Sequence, residues 1–159
     1  LHSHVTASTV GGVGYLLKQH QRSWAHEREI AAITWTFDPL VRRNCYFNFV
    51  KLGATAIEYL PNFYGAMTDS INKGDVSDRL FAYWPLTSTP IVRAFEAQFI
   101  QIALPEDIET LRKTQPESAA EWRVSIRELI RPKLDAGWTI TGMSDDRTSL
   151  ILTPPKEQE

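Results

Sequence analysis

The chain has 159 residues, 43% of them hydrophobic and 23% charged, with a formal charge of -2; this is ordinary globular composition, long enough for a compact domain with its own core. No apolar run approaches the roughly 20 residues of a membrane span, so no membrane partner is expected, and the lack of a basic surplus speaks against a general nucleic-acid binder. A single cysteine, Cys45, excludes an internal disulfide and suits a reducing, cytoplasmic setting.

In chain order, residues 1–7 read as a strand, with Val5 and Thr6 favouring extended backbone. Small residues at 8–12 break it. Val13, Leu16, Leu17, His20 and Trp24 then recur at helical spacing, predicting an amphipathic helix over 13–29. Residues 30–37 are rich in β-formers and read as a buried strand, which Asp38-Pro39 punctuates. A helix over 40–52 is expected to stop at a left-handed Gly53. A strand over 54–60, an aromatic turn at 61–65, a polar loop over 68–77 and a strand over 78–84 follow.

Beyond Pro85 the pattern predicts a short helix near 90–96 and a strand over 98–103. Pro105, Glu106 and Asp107 announce a helix, with proline at a first helical position and carboxylates in the first turn. Pro116 opens a longer one whose apolar stripe is Trp122, Ile126, Leu129 and Ile130, and which Pro132 should kink or end early. Residues 138–143 and 149–152 read as a hairpin around Asp145-Asp146-Arg147, and the tail from Pro154 as frayed.

The stretch that can carry chemistry is 5–15: strand, glycine-bearing turn, helix. Gly11, Gly12 and Gly14 lack Cβ atoms, so their backbone N–H groups can approach a ligand. Those groups open a helix, where unpaired donors and the positive dipole end suit a diphosphate. A plain tight turn accounts for the same glycines equally well. His2 and His4 share a strand face but have no third ligand cluster, so no metal is expected. His4 is also placed to deprotonate an amine, against the simpler reading of a strand histidine satisfied by hydrogen bonds. Cys45 reads as core rather than nucleophile. Arg42 and Arg43 could reach phosphates or simply be solvated, and Tyr59, Phe63 and Tyr64 could line an acceptor pocket or pack. Arg123, Arg127 and Arg131, with Glu117, Glu121 and Glu128, read as a salt-bridged solvent face.

Residues 3–84 resemble the second half of the GNAT superfamily of N-acetyltransferases, which binds acyl-CoA where a strand feeds a Q/R-x-x-G-x-G/A turn opening a helix. Gly12-Val13-Gly14 match the G-x-G part, Tyr15-Leu16-Leu17-Lys18 look like the helix that follows, and Gly53 sits where the second signature helix ends. The run from Trp35 through Asn44 to Tyr64-Gly65 resembles an uncharacterised branch of predicted acetyltransferases, which continues into sections like 104–107 and Trp122-Arg123.

The resemblance implies an α/β (α+β) fold: a mixed sheet with helices on both faces and a splayed strand pair admitting the cofactor. It makes 1–86 the C-terminal half of an acyl-CoA-binding domain and 87–159 an α/β extension packed on it, and places the family's first strands ahead of Leu1. It implies direct attack of an amine on a thioester, with acetyl-CoA or another acyl-CoA as co-substrate, an amine acceptor as partner and a homodimer as an allowed assembly. Backbone groups of Val5, Thr6 and Ala7 would hold the pantetheine arm, those of Gly11, Gly12, Val13, Gly14 and Tyr15 the diphosphate, and Asn44 would hydrogen-bond the arm.

Two features depart from the family pattern. Thr9 stands in place of Gln or Arg in a turn that looks several residues short, so either the phosphate loop is degenerate or the chain breaks between Ala7 and Gly11. The usual general-acid tyrosine falls at Phe49, which cannot donate a proton, leaving Tyr46, one turn earlier, and His4 as catalytic candidates. These departures keep two rivals open: a non-catalytic protein of the same fold that binds CoA or a protein partner, and an unrelated α/β binding module.

Overall fold

The computed structural model describes residues 1–3, 12–65, 77–86 and 98–155; the expected strand beyond Ser3, the loop over 68–76 and the short helix near 90–96 lie outside them. Alternation builds the sheet. In β1 (Ala32–Phe37), Ile33, Trp35 and Phe37 are buried while the residues between them are partly exposed, the period of a strand covered on one side. β2 (Thr55–Leu60), β3 (Arg79–Pro85), β4 (Ile100–Ala103), β5 (Thr139–Met143) and β6 (Ser149–Thr153) complete a six-stranded sheet in the order β1-β3-β2-β5-β6-β4. Every neighbouring pair is antiparallel.

The register sets Trp35 beside Ala82, Ala82 beside Ala56, Ala56 beside Ile140 and Ile140 beside Leu152. One apolar row therefore crosses the sheet and joins a single core. Leu1–Ser3 adds the parallel element at the free edge of β1. Thr34 N–H donates to the Leu1 carbonyl and Ser3 N–H to the Thr34 carbonyl, both at 2.8 Å, around a parallel bridge between His2 and Thr34.

The helices are α1 (Val13–His26), α2 (Arg42–Cys45), which runs into a π-helical segment (Tyr46–Lys51), α3 (Ile108–Thr114) and α4 (Pro116–Asp135). Lys18 and Arg22 of α1 lie over the rings of Trp35 and Trp84. Phe49 of the π segment meets Phe37 edge-on, and Ile126, Ile130 and Leu134 of α4 enter the same core. Among the described residues the helices thus share one face, not the two expected. The opposite face carries Thr34, Thr36 and Glu58 beside Phe81 and Tyr83, and Tyr83 is 37% exposed there.

Several boundaries follow from local chemistry. Gly53 has φ 71°, the left-handed stop expected of it. Asp107, rather than Pro105, starts α3: its carboxylate accepts from the N–H groups of Glu109 and Thr110. Pro116 opens α4 as expected, but Pro132 does not end it early: the helix runs on to Asp135 with Pro132 inside it. Pro132 and Glu128, whose carbonyl loses its N–H partner, are both exposed, so the lost bond is not a buried one.

Two helix faces differ from the pattern read in the sequence. On α1 the buried residues are Lys18 and Ala25, while Leu16 is 66% exposed and Leu17 and Trp24 are exposed too. On α4 the inward stripe is Ala119, Arg123, Ile126, Ile130 and Leu134, with Leu129 outside. Arg123 is only 2% exposed and donates to both Asp38 oxygens, at 2.8 and 2.9 Å, with Arg112 adding a bond of 2.6 Å. Arg127 forks onto Asp78 at 2.9 Å twice, and the same carboxylate accepts from Tyr59 Oη at 2.7 Å. The expected solvent face is therefore an ionic seam: buried carboxylates at the end of β1 and before β3 require cations, and α3 and α4 supply them. Of the three arginines only Arg131, with Asp135 at 3.6 Å, stays at the surface, where Glu117, Glu121 and Glu128 also lie.

Candidate functional site

The described part of the site begins where α1 begins. Gly12 precedes the helix with φ 84°, a left-handed conformation that favours glycine, and no side chain caps the end. Its carbonyl accepts from the N–H groups of Tyr15 and Leu16. The N–H groups of Val13 and Gly14 have no partner among the described residues, as at any uncapped helix start. A Cβ at Gly14 would meet nothing within 4 Å, so the space beside that residue is open.

Gly14 opens onto a cleft of about 360 Å³ on the helix-covered side of the sheet, at the lower end of the roughly 300–1,000 Å³ of ligand sites. Gly14 and Lys18 of α1 form one wall, the last residues of β1 and Asp38 the floor, and Asn44, Phe47 and Asn48 of α2 and its π segment the other wall, with Ser3, Tyr64 and Arg79 completing the lining. Thr34 spends its N–H and carbonyl on Leu1–Ser3, away from β3. Thr36, two residues on, points its own backbone pair the same way and lines the cleft.

The π segment decides which side chains reach this space. Leu52 N–H donates to the Phe47 carbonyl and Ala54 N–H to that of Asn48, a wider winding than the α-helix and a recurrent feature of functional sites. Asn44 and Asn48 both face the cleft, whereas Phe49 is fully buried in the core. Trp35 Nε1 donates to Asn48 Oδ1 at 3.1 Å. An indole only donates, so the oxygen end of Asn48 is fixed and its NH2 remains for the cleft.

The charged groups lining the cleft differ sharply. Burial works to raise the pKa of Asp38, but the hydrogen bonds and charge of Arg123, the charge of Arg112 and the Leu40 N–H outweigh it and hold the carboxyl down to about 2. It is a fixed anion, not a base. Burial pushes Lys18 down to about 8. Its Nζ donates to Ser3 Oγ and Gln21 Oε1, each at 3.2 Å, and lies 4.0 Å from the centre of the Trp35 ring. Arg79 is 3.7 Å from Asp38 and 5.1 Å from the Tyr64 ring centre.

Of the residues singled out from the sequence, Gly14 and Asn44 meet in this cleft; Gly12 and Val13 adjoin it at the turn, and Tyr15 is exposed outside its lining. His4, Val5, Thr6, Ala7, Thr9 and Gly11 lie outside the described residues, as does the question of a break between Ala7 and Gly11. Tyr46 is not in the lining: its ring stacks under Arg147, 4.2 Å away, on the side of the β5–β6 turn. His2 lies against Thr34 Oγ1 at 3.0 Å and stacks on Phe81; among the described residues no group of His, Cys, Asp or Glu could hold a metal.

Arg42 donates to the Leu104 carbonyl and Arg43 pairs with Glu109, so neither turns to the cleft. Cys45 is a core residue whose thiol donates to the Pro39 carbonyl; burial first, then the charge of Asp38, pushes its pKa up. Tyr64 lines the cleft mouth, while Tyr59 is buried on Asp78 and Phe63 packs on Tyr64. Sequence reading missed Lys18, Trp35, Asn48 and Asp38. A π segment has no composition signal, and a lysine among exposed apolar neighbours gives no sign that it faces inward.

A scan against protein-family models finds no match, and searches of curated proteins and of solved structures find none. Among the described residues no helix is long and apolar enough to cross a membrane.

Proposed function

We propose that the chain binds acyl-CoA in the cleft between α1 and α2, as part of an N-acyltransferase of GNAT type that moves an acetyl group from acetyl-CoA to an amine by direct attack. One observation carries the reading: Gly14 at the helix start, Thr36 on the outer edge of β1, and Asn44 and Asn48 line the same cavity. A diphosphate suits the Val13 and Gly14 N–H groups. An amide-bearing pantetheine arm suits the backbone pair of Thr36 and the side chain of Asn44, and the NH2 of Asn48 suits a thioester carbonyl that gains negative charge as the amine attacks. The parallel pairing of Leu1–Ser3 with β1 supports the reading by putting a strand edge beside the cleft; the splay that the resemblance implies falls beyond Ser3, outside the described residues. A cavity of this size takes the acyl-pantetheine arm and leaves the nucleotide outside. Tyr64 is the phenol in the lining that could return a proton to the departing thiolate.

A second reading, CoA binding without transfer, is favoured by one set of facts: Asp38 is locked in ion pairs, Phe49 is in the core and Tyr46 lies elsewhere. Thermal unfolding with and without acetyl-CoA tests both readings, because a ligand that binds only the folded chain raises Tm. A rise in Tm with release of CoA thiol on a panel of primary amines is the expected result. A rise without turnover selects the second reading, and no rise rejects both.

A further inference from the structure

We propose that Lys18 is itself a site of acylation, its Nζ attacking the thioester held in the cleft to give Nε-acyl-Lys18 and free CoA thiol. This rests on the reading of the cleft as a thioester site. In the step, the amine lone pair forms the C–N bond at the carbonyl carbon, the C–S bond breaks with its electron pair leaving on sulfur, and the ammonium proton ends on that thiolate. No reactant other than the acyl thioester is required.

The geometry separates Lys18 from ordinary lysines. It is only 4% exposed, yet it lines the cleft, so among the described residues it is met from the space assigned to the acyl arm. Its oxygen partners, Ser3 Oγ and Gln21 Oε1, are neutral, and among the described residues no carboxylate pairs with it. A lysine held this way carries the cost of a buried charge with little to offset it. Burial brings its pKa to about 8 against an ordinary 10.5, which at neutral pH leaves roughly a few hundredfold more of it as free amine. The Trp35 ring face, 4.0 Å away, works in the other direction by holding the ammonium. It also fixes the nitrogen in place above the floor of the cleft. Lys51 and Lys113 are exposed on the surface and provide the comparison within the same chain.

The test labels the intact chain at about pH 8 with acetyl-CoA and, separately, with the acetyl thioester of N-acetylcysteamine, which lacks the diphosphate and nucleotide, and follows each lysine by peptide mass spectrometry. Lys18 is expected to acquire the acetyl group at least tenfold faster than Lys113, with a rate that climbs with pH and levels off above about 8. Urea should abolish the advantage, and Lys18→Arg should remove that label while leaving Lys113 unchanged. Labelling of Lys18 no faster than Lys113 with either donor overturns the proposal, as does an advantage that survives in urea. Saturable CoA binding by calorimetry with no Lys18 label overturns this inference alone. Label from the short thioester but not from acetyl-CoA keeps Lys18 as the acylated residue and rejects the cleft as a CoA site.

Discussion

Replacing Asp38 by asparagine removes the charge at the centre of the ionic seam while keeping its shape and an oxygen for the Leu40 N–H. Folding holds the Asp38 carboxyl near 2 instead of 3.8, and a difference of that size between folded and unfolded chain corresponds to about 2.5 kcal/mol. Arg123, 2% exposed, also loses the carboxylate to which both its terminal nitrogens donate. Breaking one side of a buried pair costs roughly 3–5 kcal/mol, so the expected loss at neutral pH is about 3 kcal/mol or more.

The pH dependence has a definite sign. A carboxyl whose pKa is lowered by folding stabilises the chain above its unfolded value, near 4, and that contribution disappears as pH falls toward 2. Urea unfolding followed by tryptophan fluorescence should therefore show wild type and Asp38→Asn far apart at pH 7 and converging between about pH 4 and pH 2. A gap under about 0.5 kcal/mol at pH 7, or a gap unchanged by acid, would refute the seam as the element that docks α4.

Three further substitutions probe other links. Gly14→Ala meets no atom within 4 Å and needs no special backbone angle, so urea unfolding should find stability unchanged or raised by up to about 1 kcal/mol, while calorimetry finds CoA affinity reduced about tenfold or more. Trp35→Phe leaves Asn48 Oδ1 without its donor and Lys18 without the indole face; a loss of about 1–3 kcal/mol in urea unfolding is expected, with weaker CoA binding as the Asn48 amide is freed to turn. Pro132→Ala restores a helical N–H on an exposed face near the end of α4 and should raise stability by about 1 kcal/mol, short of the roughly 3 kcal/mol of a mid-helix proline, read as a higher Tm.

Where a signal is local, the sequence carried it. β-formers gave β1 and β2, Gly53 and Pro116 marked helix ends, and Asp145-Asp146-Arg147 marked the last hairpin, because each depends on backbone preferences of the residues concerned. Which face of a helix turns inward depends on what it meets. α1 turns Lys18 and Ala25 to the sheet although Leu16, Leu17 and Trp24 form the more apolar side, and α4 buries Arg123 because Asp38, 85 positions away, awaits it. Pairings at that separation leave no periodicity to read. The glycine turn and Asn44 were visible from motif spacing, but the π winding after Cys45 brings Asn48 rather than Phe49 to the cleft, and no propensity marks that extra width.

In the proposed function, backbone amides at the start of α1 and at the outer edge of β1 receive the CoA molecule. Amide chemical shifts of the 15N-labelled chain, recorded through a CoA titration, address those nitrogens one by one. Saturable shifts centred on Val13, Gly14 and Thr36, with the side-chain NH2 of Asn44 and Asn48 following the same isotherm, are the predicted result. A spectrum unmoved by millimolar CoA, or shifts confined to the β4–β6 end of the sheet, would contradict it.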